Sequence, residues 1–425
     1  LNIETGGSAD VGDRTVLGDF SGAQGTINVT GSGSQFETRN LYVGDAGTGT
    51  LNMSGGTVTV EFPMSVGVQT GSSGTVTNDG GTLTVGLSLL VGEAGTGTAT
   101  IRNGGSLGVT GVTRIGQNSS STGQLTITGS GSTWTASGNV STGYEGTGTL
   151  NIQDGATANL SGELLVGDKA GSIGTATVDA ATMTASAILV GSAGTGTMTL
   201  SGGSTVTADD LIVGNSAGSN GTATLTGSGT SMSLSLELNV GLEGTGTLNV
   251  NNGGTILVTD GVRLGDQTTG AGTVNIDGAS SKITSSTNTW IGDEGTGTVA
   301  LTNGADFYAN LATYIGYAST GTGTLTLDGS GTYWESGGDF FVGVSGSGNV
   351  SVTNGAEIVG DYVSFGKEPG SSATIIVDGA GSSPGGRSGR ILRCSRSSSP
   401  SFSQRTRWRG YSGRRPLKRS GSAPW

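Results

Sequence analysis

Leu41-Tyr42-Val43-Gly44-Asp45-Ala46-Gly47-Thr48-Gly49-Thr50-Leu51-Asn52-Met53-Ser54-Gly55-Gly56-Thr57-Val58-Thr59-Val60 is the stretch that decides the fold. Leu41 and Val43 flank Tyr42, and the run stops at Gly44. A polar turn carries the chain to Gly49. Thr50 to Met53 then alternates again, Ser54-Gly55-Gly56 turns, and Thr57 to Val60 alternates a third time. The period is two throughout, with Leu, Val and Met on one side and Thr and Asn on the other, which is the pattern of a half-buried strand. Thr and Val are β-branched and suit a pleated surface. No segment of the chain carries a sustained helical period or a cap followed by an apolar run, so helix is excluded.

The stretch recurs. Gly-Thr-Gly-Thr opens at Gly47, Gly95, Gly146, Gly194, Gly244 and Gly295, with a degenerate copy at Gly346-Ser347-Gly348-Asn349. A weaker series falls midway, at Gly25-Thr26, Gly74-Thr75, Gly123-Gln124, Gly174-Thr175, Gly221-Thr222, Gly272-Thr273 and Gly323-Thr324. Each ~50-residue repeat is therefore two half-units of about 25 residues, a period that marks solenoids and arrays. Three short strands and three turns in 25 residues match one coil of a parallel β-helix. The sequence predicts an all-β, right-handed parallel β-helix of about fifteen coils in seven to eight repeats. Leu41/Val43, Leu89/Val91, Ile188/Val190, Leu238/Val240 and Phe340/Val342 should form an inner ladder. Coils ~4.8 Å apart give a rod of about 70 Å. A propeller with 50-residue blades would need longer strands and fixed aromatics.

Composition agrees once the period is known. Glycine supplies 85 of 425 residues, a share that in an aperiodic chain would spell disorder. Here glycines are expected at corners, where φ is positive and coils approach closely. There is no histidine and one cysteine, Cys394. Those counts exclude Ser-His-Asp and Cys-His nucleophilic sites, His-ligated metals, internal disulfides and CxxC sites. Residues 1–380 hold eight basic residues against all 31 acidic ones, a net charge of −23; residues 381–425 hold eleven Lys/Arg and no acid.

That contrast divides the chain into a repeat domain, 1–383, and a basic low-complexity tail, 384–425, predicted to be disordered. Earlier units continue as Gly129-Ser130-Gly131-Ser132-Thr133-Trp134 or Gly329-Ser330-Gly331-Thr332-Tyr333-Trp334. The last begins as Gly379-Ala380-Gly381-Ser382-Ser383 and turns into Pro384-Gly385-Gly386-Arg387, the composition of a shifted GC-rich frame. A frameshifted or non-native end is the expectation. Leu1-Asn2-Ile3 matches Leu150-Asn151-Ile152, so the chain opens inside a coil and reads as a fragment, with neither initiator Met nor signal segment.

The GTGTL(T/N)(V/I) strand, the xGG turn, the LxVG strand and the GSGSxW segment together resemble the repeat of autotransporter (type V secretion) passengers and of PEP-CTERM sorting-signal exoproteins. The resemblance covers residues 1 to about 383. It implies a bacterial cell-surface passenger, carried through the outer membrane by a C-terminal barrel missing from this chain and often adhesive. Its partners would be host cells, extracellular matrix or like chains; the charge of −23 on residues 1–380 separately argues against a specific nucleic-acid partner. The competing class is a passive stalk that displays another module.

A glycan-degrading β-helix enzyme is a weaker alternative. Catalysis there needs converging carboxylates. The turn acids Asp45, Glu93, Glu145, Glu243, Asp293 and Glu294 recur every second coil, about 10 Å apart at the ~4.8 Å rise. The calcium nonapeptide GGxGxDxUx does not occur, and Gly360–Lys367 fails the P-loop spacing. No catalytic residue, cofactor or metal is assigned.

The aromatics are the candidate contact residues. Phe36, Trp134, Met232 and Trp334 occupy one slot of the repeat, shared by Ile283, and two readings stand: corner packing, or a partly exposed row for glycan or protein contact. Tyr42, Tyr144, Trp290 and Tyr362 fall on the expected outer face.

Overall fold

The computed structural model describes residues 1–385. They form an all-β solenoid of about fifteen turns, with no helix among them. One coil shows the plan: a seven-residue strand, Thr48–Ser54, a four-residue strand, Thr57–Val60, and a three-residue strand, Met64–Val66, before Ser73–Asp79 begins the next coil. Fifteen seven-residue strands and the three-residue strand Asn2–Glu4 stack into one sixteen-stranded parallel sheet. The four- and three-residue strands stack into a second and a third ladder. These two join into a single sheet because Ser8–Leu17 and Gln35–Val43 run unbroken around the corner between them.

Stacking is in register. Gly49 pairs with Gly74, Leu51 with Val76, and Leu41 with Met64. The strand Asn2–Glu4 pairs with Asn28–Thr30, which puts Leu1-Asn2-Ile3 where the repeat predicts. A shift interrupts the ladder between Val11 and Arg14, opposite the corner residue Arg39. Inward positions such as Leu51, Met53, Val58, Val60, Leu41 and Val43 are fully or almost fully buried and form one continuous core.

Glycine has two separate uses here. Gly44 ends the third-ladder strand at φ +75°, and a Cβ there would stand 2.1 Å from the Ser73 carbonyl oxygen of the next coil. Gly49 is different. It is the second residue of the strand Thr48–Ser54, on the inward face, and its Cβ would lie 2.0 Å from the Gly44 nitrogen. The tetrad is thus partly a strand signal: its second glycine lets two backbones touch where a side chain would force them apart.

The GSGS segment has a mechanical role that its composition hides. Ser132 is buried, donates its hydroxyl to the Thr128 carbonyl at 2.7 Å and accepts from the Gly104 N–H of the preceding coil at 3.1 Å. Ser34, Thr230, Ser281, Thr332 and Ser382 repeat the same pair of bonds. The slot is a strut to the preceding coil, filled every fourth coil from Ser34 to Thr230 and every second coil from Thr230 to Ser382. Beyond it, Ser383–Gly385 still pairs with Glu357–Val359, so the ladder continues two residues past 383. The basic tail after that point and its inferred frameshift lie outside the described residues.

Candidate functional site

The third ladder turns one residue per coil outward, between two buried ones. In Leu41-Tyr42-Val43 that residue is Tyr42; in register with it, ten rungs on and ~48 Å along the axis, stands Trp290. The column is apolar at Leu165, Leu189 and Ile212, then runs Asn239, Arg263, Trp290, Tyr314 and Phe341. The residue after each ladder-ending glycine flanks it, among them Tyr144, Asp168, Asp266, Asp293, Tyr317 and Lys367.

Ladder geometry stacks these side chains on one another. Trp290 lies over Tyr314 with centroids 5.7 Å apart, Tyr314 over Phe341 at 5.1 Å, and Tyr317 meets Tyr314 edge-on. The Arg263 guanidinium covers the free face of Trp290 at 3.9 Å, and Lys367 covers Phe341 at 5.0 Å. The result is a cation-capped aromatic pile that presents ring edges to solvent. Tyr144 is held likewise, with Arg114 at 4.1 Å and Lys169 at 5.2 Å from its ring. Arg39 over Phe62 and Lys282 over Tyr308 complete the set. Six of the eight basic residues of the body sit on aromatic rings.

Carboxylates complete the electrostatics. Arg263 reaches Glu237 at 3.5 Å, Asp266 at 3.8 Å and Asp293 more closely still. Burial raises the Asp293 carboxyl above its ordinary value, Arg263 pulls it back, and Asp266 pushes it further up. Burial likewise raises Asp306, offset by Tyr308 and Lys282. The acids therefore converge more than a spacing of every second coil predicts, because Asp266 and Asp293 belong to adjacent coils. The cation they share is Arg263. Beside Tyr144, a shallow depression of about 240 Å³ is floored by Ser141 and Leu165 and walled by Arg114, Asp168 and Lys169. Asp168 is buried there and fully engaged, accepting from Ser141 at 2.6 Å and pairing with Lys169 at 3.3 Å.

The six expected contact residues separate into three groups. Tyr42 and Trp290 share the outward column, and Tyr144 flanks it. Tyr362 is exposed but sits in the corner before the strand Val363–Phe365, outside the column. Trp134 and Trp334 are corrections: neither has exposed surface, and both lie in the second ladder's inner column with Phe36, Met232 and Ile283. An even residue of that strand faces inward, so the corner-packing reading is the one the structure has. Trp334 stacks on Phe307 at 4.0 Å and donates Nε1 to the buried Thr313 hydroxyl at 3.3 Å. Missed from the sequence were Arg114, Lys169, Arg263, Tyr314, Phe341 and Lys367. Their signal is a basic residue about one coil from an aromatic one, as in Arg263 and Trp290.

Comparison of the chain with family models and with curated proteins, and of the fold with solved structures, finds no match.

Proposed function

We propose that this chain is an adhesive passenger of the autotransporter type, displayed on a bacterial cell surface and binding through the outward column of the third ladder. The observation that carries the reading is the Trp290–Tyr314–Phe341 pile, three large aromatic side chains stacked in an outward column rather than in the core. Monomeric proteins seldom keep such groups outside without use, and aromatic and Arg anchors dominate binding energy where partners meet. The repeat motifs quoted above supply the export route: an outer-membrane barrel that follows the passenger. Host-cell surface or matrix protein is the partner class, and no turnover of substrate is expected.

The stalk reading has its own support. The pile's faces are already taken up by one another and by Arg263 and Lys367, which leaves only edges for a partner. The test is binding of the full chain to host cells and matrix proteins, with Trp290→Ala, Tyr314→Ala and Tyr144→Ala beside it. Adhesion requires weaker binding in the first two variants at least, with an unchanged circular dichroism spectrum. Binding that ignores all three makes the body a stalk, and cleavage of acidic glycans would overturn both readings.

A further inference from the structure

The outward face of the sixteen-stranded sheet is a lattice. Each seven-residue strand turns four residues outward, so four columns run the length of the rod. The second column begins at Thr26, Thr50, Thr75 and Thr98 and ends at Thr374, with threonine at thirteen of fifteen rungs; Gln124 and Asn349 are the exceptions. The first column is threonine at about half its rungs, as at Thr96, Thr147 and Thr195, and the third is a mixture of Thr and Asn that also takes in Ala300, Ser351 and Ile376. No Asp, Glu, Lys or Arg stands in these three columns, although residues 1–380 contain 39 of them. Charge appears on this sheet only in the fourth, edge column, at residues such as Asp79, Arg102 and Asp277.

Three further properties belong to the same surface. Pairing across all sixteen strands is one-to-one without a shift, so the columns stay straight. Every interior strand is hydrogen-bonded on both sides, which fixes the positions of the Cβ atoms. Among the described residues, none of the thirteen second-column hydroxyls bonds to another group of the chain, so all are turned to solvent. Second-column threonines therefore repeat every ~4.8 Å along the rod, and at ten of the fifteen rungs, such as those of Thr98, Thr197 and Thr324, a neighbouring column adds a threonine ~6.7 Å across, twice the rise per residue.

We infer that this face binds ice. The rung spacing lies within a few tenths of an ångström of an oxygen repeat on the prism face of hexagonal ice, and the across-rod spacing is comparable to the other, so that groups of adjacent rungs such as Thr195–Thr199 and Thr222–Thr224 can match ice in two directions at once. Each threonine offers a hydroxyl that can replace a lattice water and a methyl that water cages without strong binding. A charged group would break the cage by drawing water tightly around itself, and here there is none. A polysaccharide chain would use the repeat in one direction only. A second copy of the sheet could slide rung by rung without a unique register.

The experiment grows ice slowly from a solution of the full chain and measures the protein incorporated, together with inhibition of recrystallisation. Thr197→Tyr with Thr222→Tyr breaks the second column at adjacent rungs; Thr207→Tyr, exposed on the second ladder, is the control. The wild type and the control should enter ice and keep crystals small, and the double variant should lose both effects at an unchanged melting temperature. Exclusion of the wild type from ice overturns the inference, as does full activity of the double variant. Wild-type dimerisation or retention on crystalline cellulose that the double variant abolishes, without entry into ice, assigns the face to those partners instead.

Discussion

At the scale of single residues, the fold depends on a few polar atoms placed inside it. Ser132 is the clearest. Its hydroxyl satisfies one carbonyl in its own coil and one N–H in the coil before, at a position with no access to water. Removing it takes away both bonds, one of them from Gly104 in an exposed turn, and a lost hydrogen bond costs about 0.5–1.5 kcal/mol. Ser132→Ala should therefore lower the denaturation midpoint clearly, whereas Ser132→Thr should be nearly silent, because Thr230 and Thr332 fill the same slot elsewhere in the rod. Urea titration of the two variants checks this, and equal effects would show that the strut carries no stability. The inner column of the third ladder holds a related case. Thr313 receives the Trp334 indole, while Thr113 and Trp134, also 21 residues apart, are buried without a partner for either polar atom. Thr313→Val should consequently cost more than Thr113→Val, a difference readable in the same titrations.

At the scale of the element, the edge column of the sixteen-stranded sheet responds to acid. Asp277 accepts from Thr302 and Asn303 of the next coil, and Asp328 from Thr353 and Asn354. Those donors hold both carboxyls below their ordinary value of 3.8. A lowered folded value means that their contribution is present above 3.8 and is lost as pH falls through the lowered value. Asp293 and Asp306 have the opposite sign: burial raises them, so their contribution is full below 3.8 and declines as pH rises through the raised value. The chain should lose stability between pH 4 and pH 2, and the double variant Asp277→Asn, Asp328→Asn should lose less over that interval. Urea midpoints at several pH values measure it; parallel curves would remove the edge carboxylates from the account. The ladders themselves were legible because register is periodic: Leu41, Leu89 and Ile188 could be aligned by counting glycines. The Asp–Thr–Asn bridges and the Arg263 node were not, since they join residues about one coil apart whose types vary from coil to coil. Trp134 and Trp334 were ambiguous for a simpler reason. A strand of four residues has two faces, and nothing in Thr133-Trp134-Thr135-Ala136 states which one points at the core until its neighbours Leu107 and Ala158 are seen above and below.

At the scale of the whole molecule, each coil touches mainly the coils before and after it, so stability is close to a sum of coil and interface contributions. Two coil types alternate, one of them carrying the Gly-Thr-Gly-Thr tetrad, and two coils are the unit that can be removed without offending either neighbour. Deleting residues 195–244 joins Gly194 to Thr245 and restores the Gly-Thr-Gly-Thr tetrad. It also stacks the strand Thr245–Asn251 on Ile173–Asp179, where Thr195–Ser201 had been. This variant should fold with an unchanged β-type circular dichroism spectrum, and its longest dimension by solution scattering should fall by about 10 Å, two rungs of ~4.8 Å. Deleting residues 195–232 instead joins Gly194 to Ser233, so that a segment of the second ladder follows where a seven-residue strand is due. Side chains then meet the wrong faces, and a one-face error in a strand exposes its whole apolar set. That variant should lose the cooperative transition. If both deletions fold equally well, register between coils is not what specifies this rod; if neither folds, the coils are not independent units and the solenoid must form as a single cooperative body.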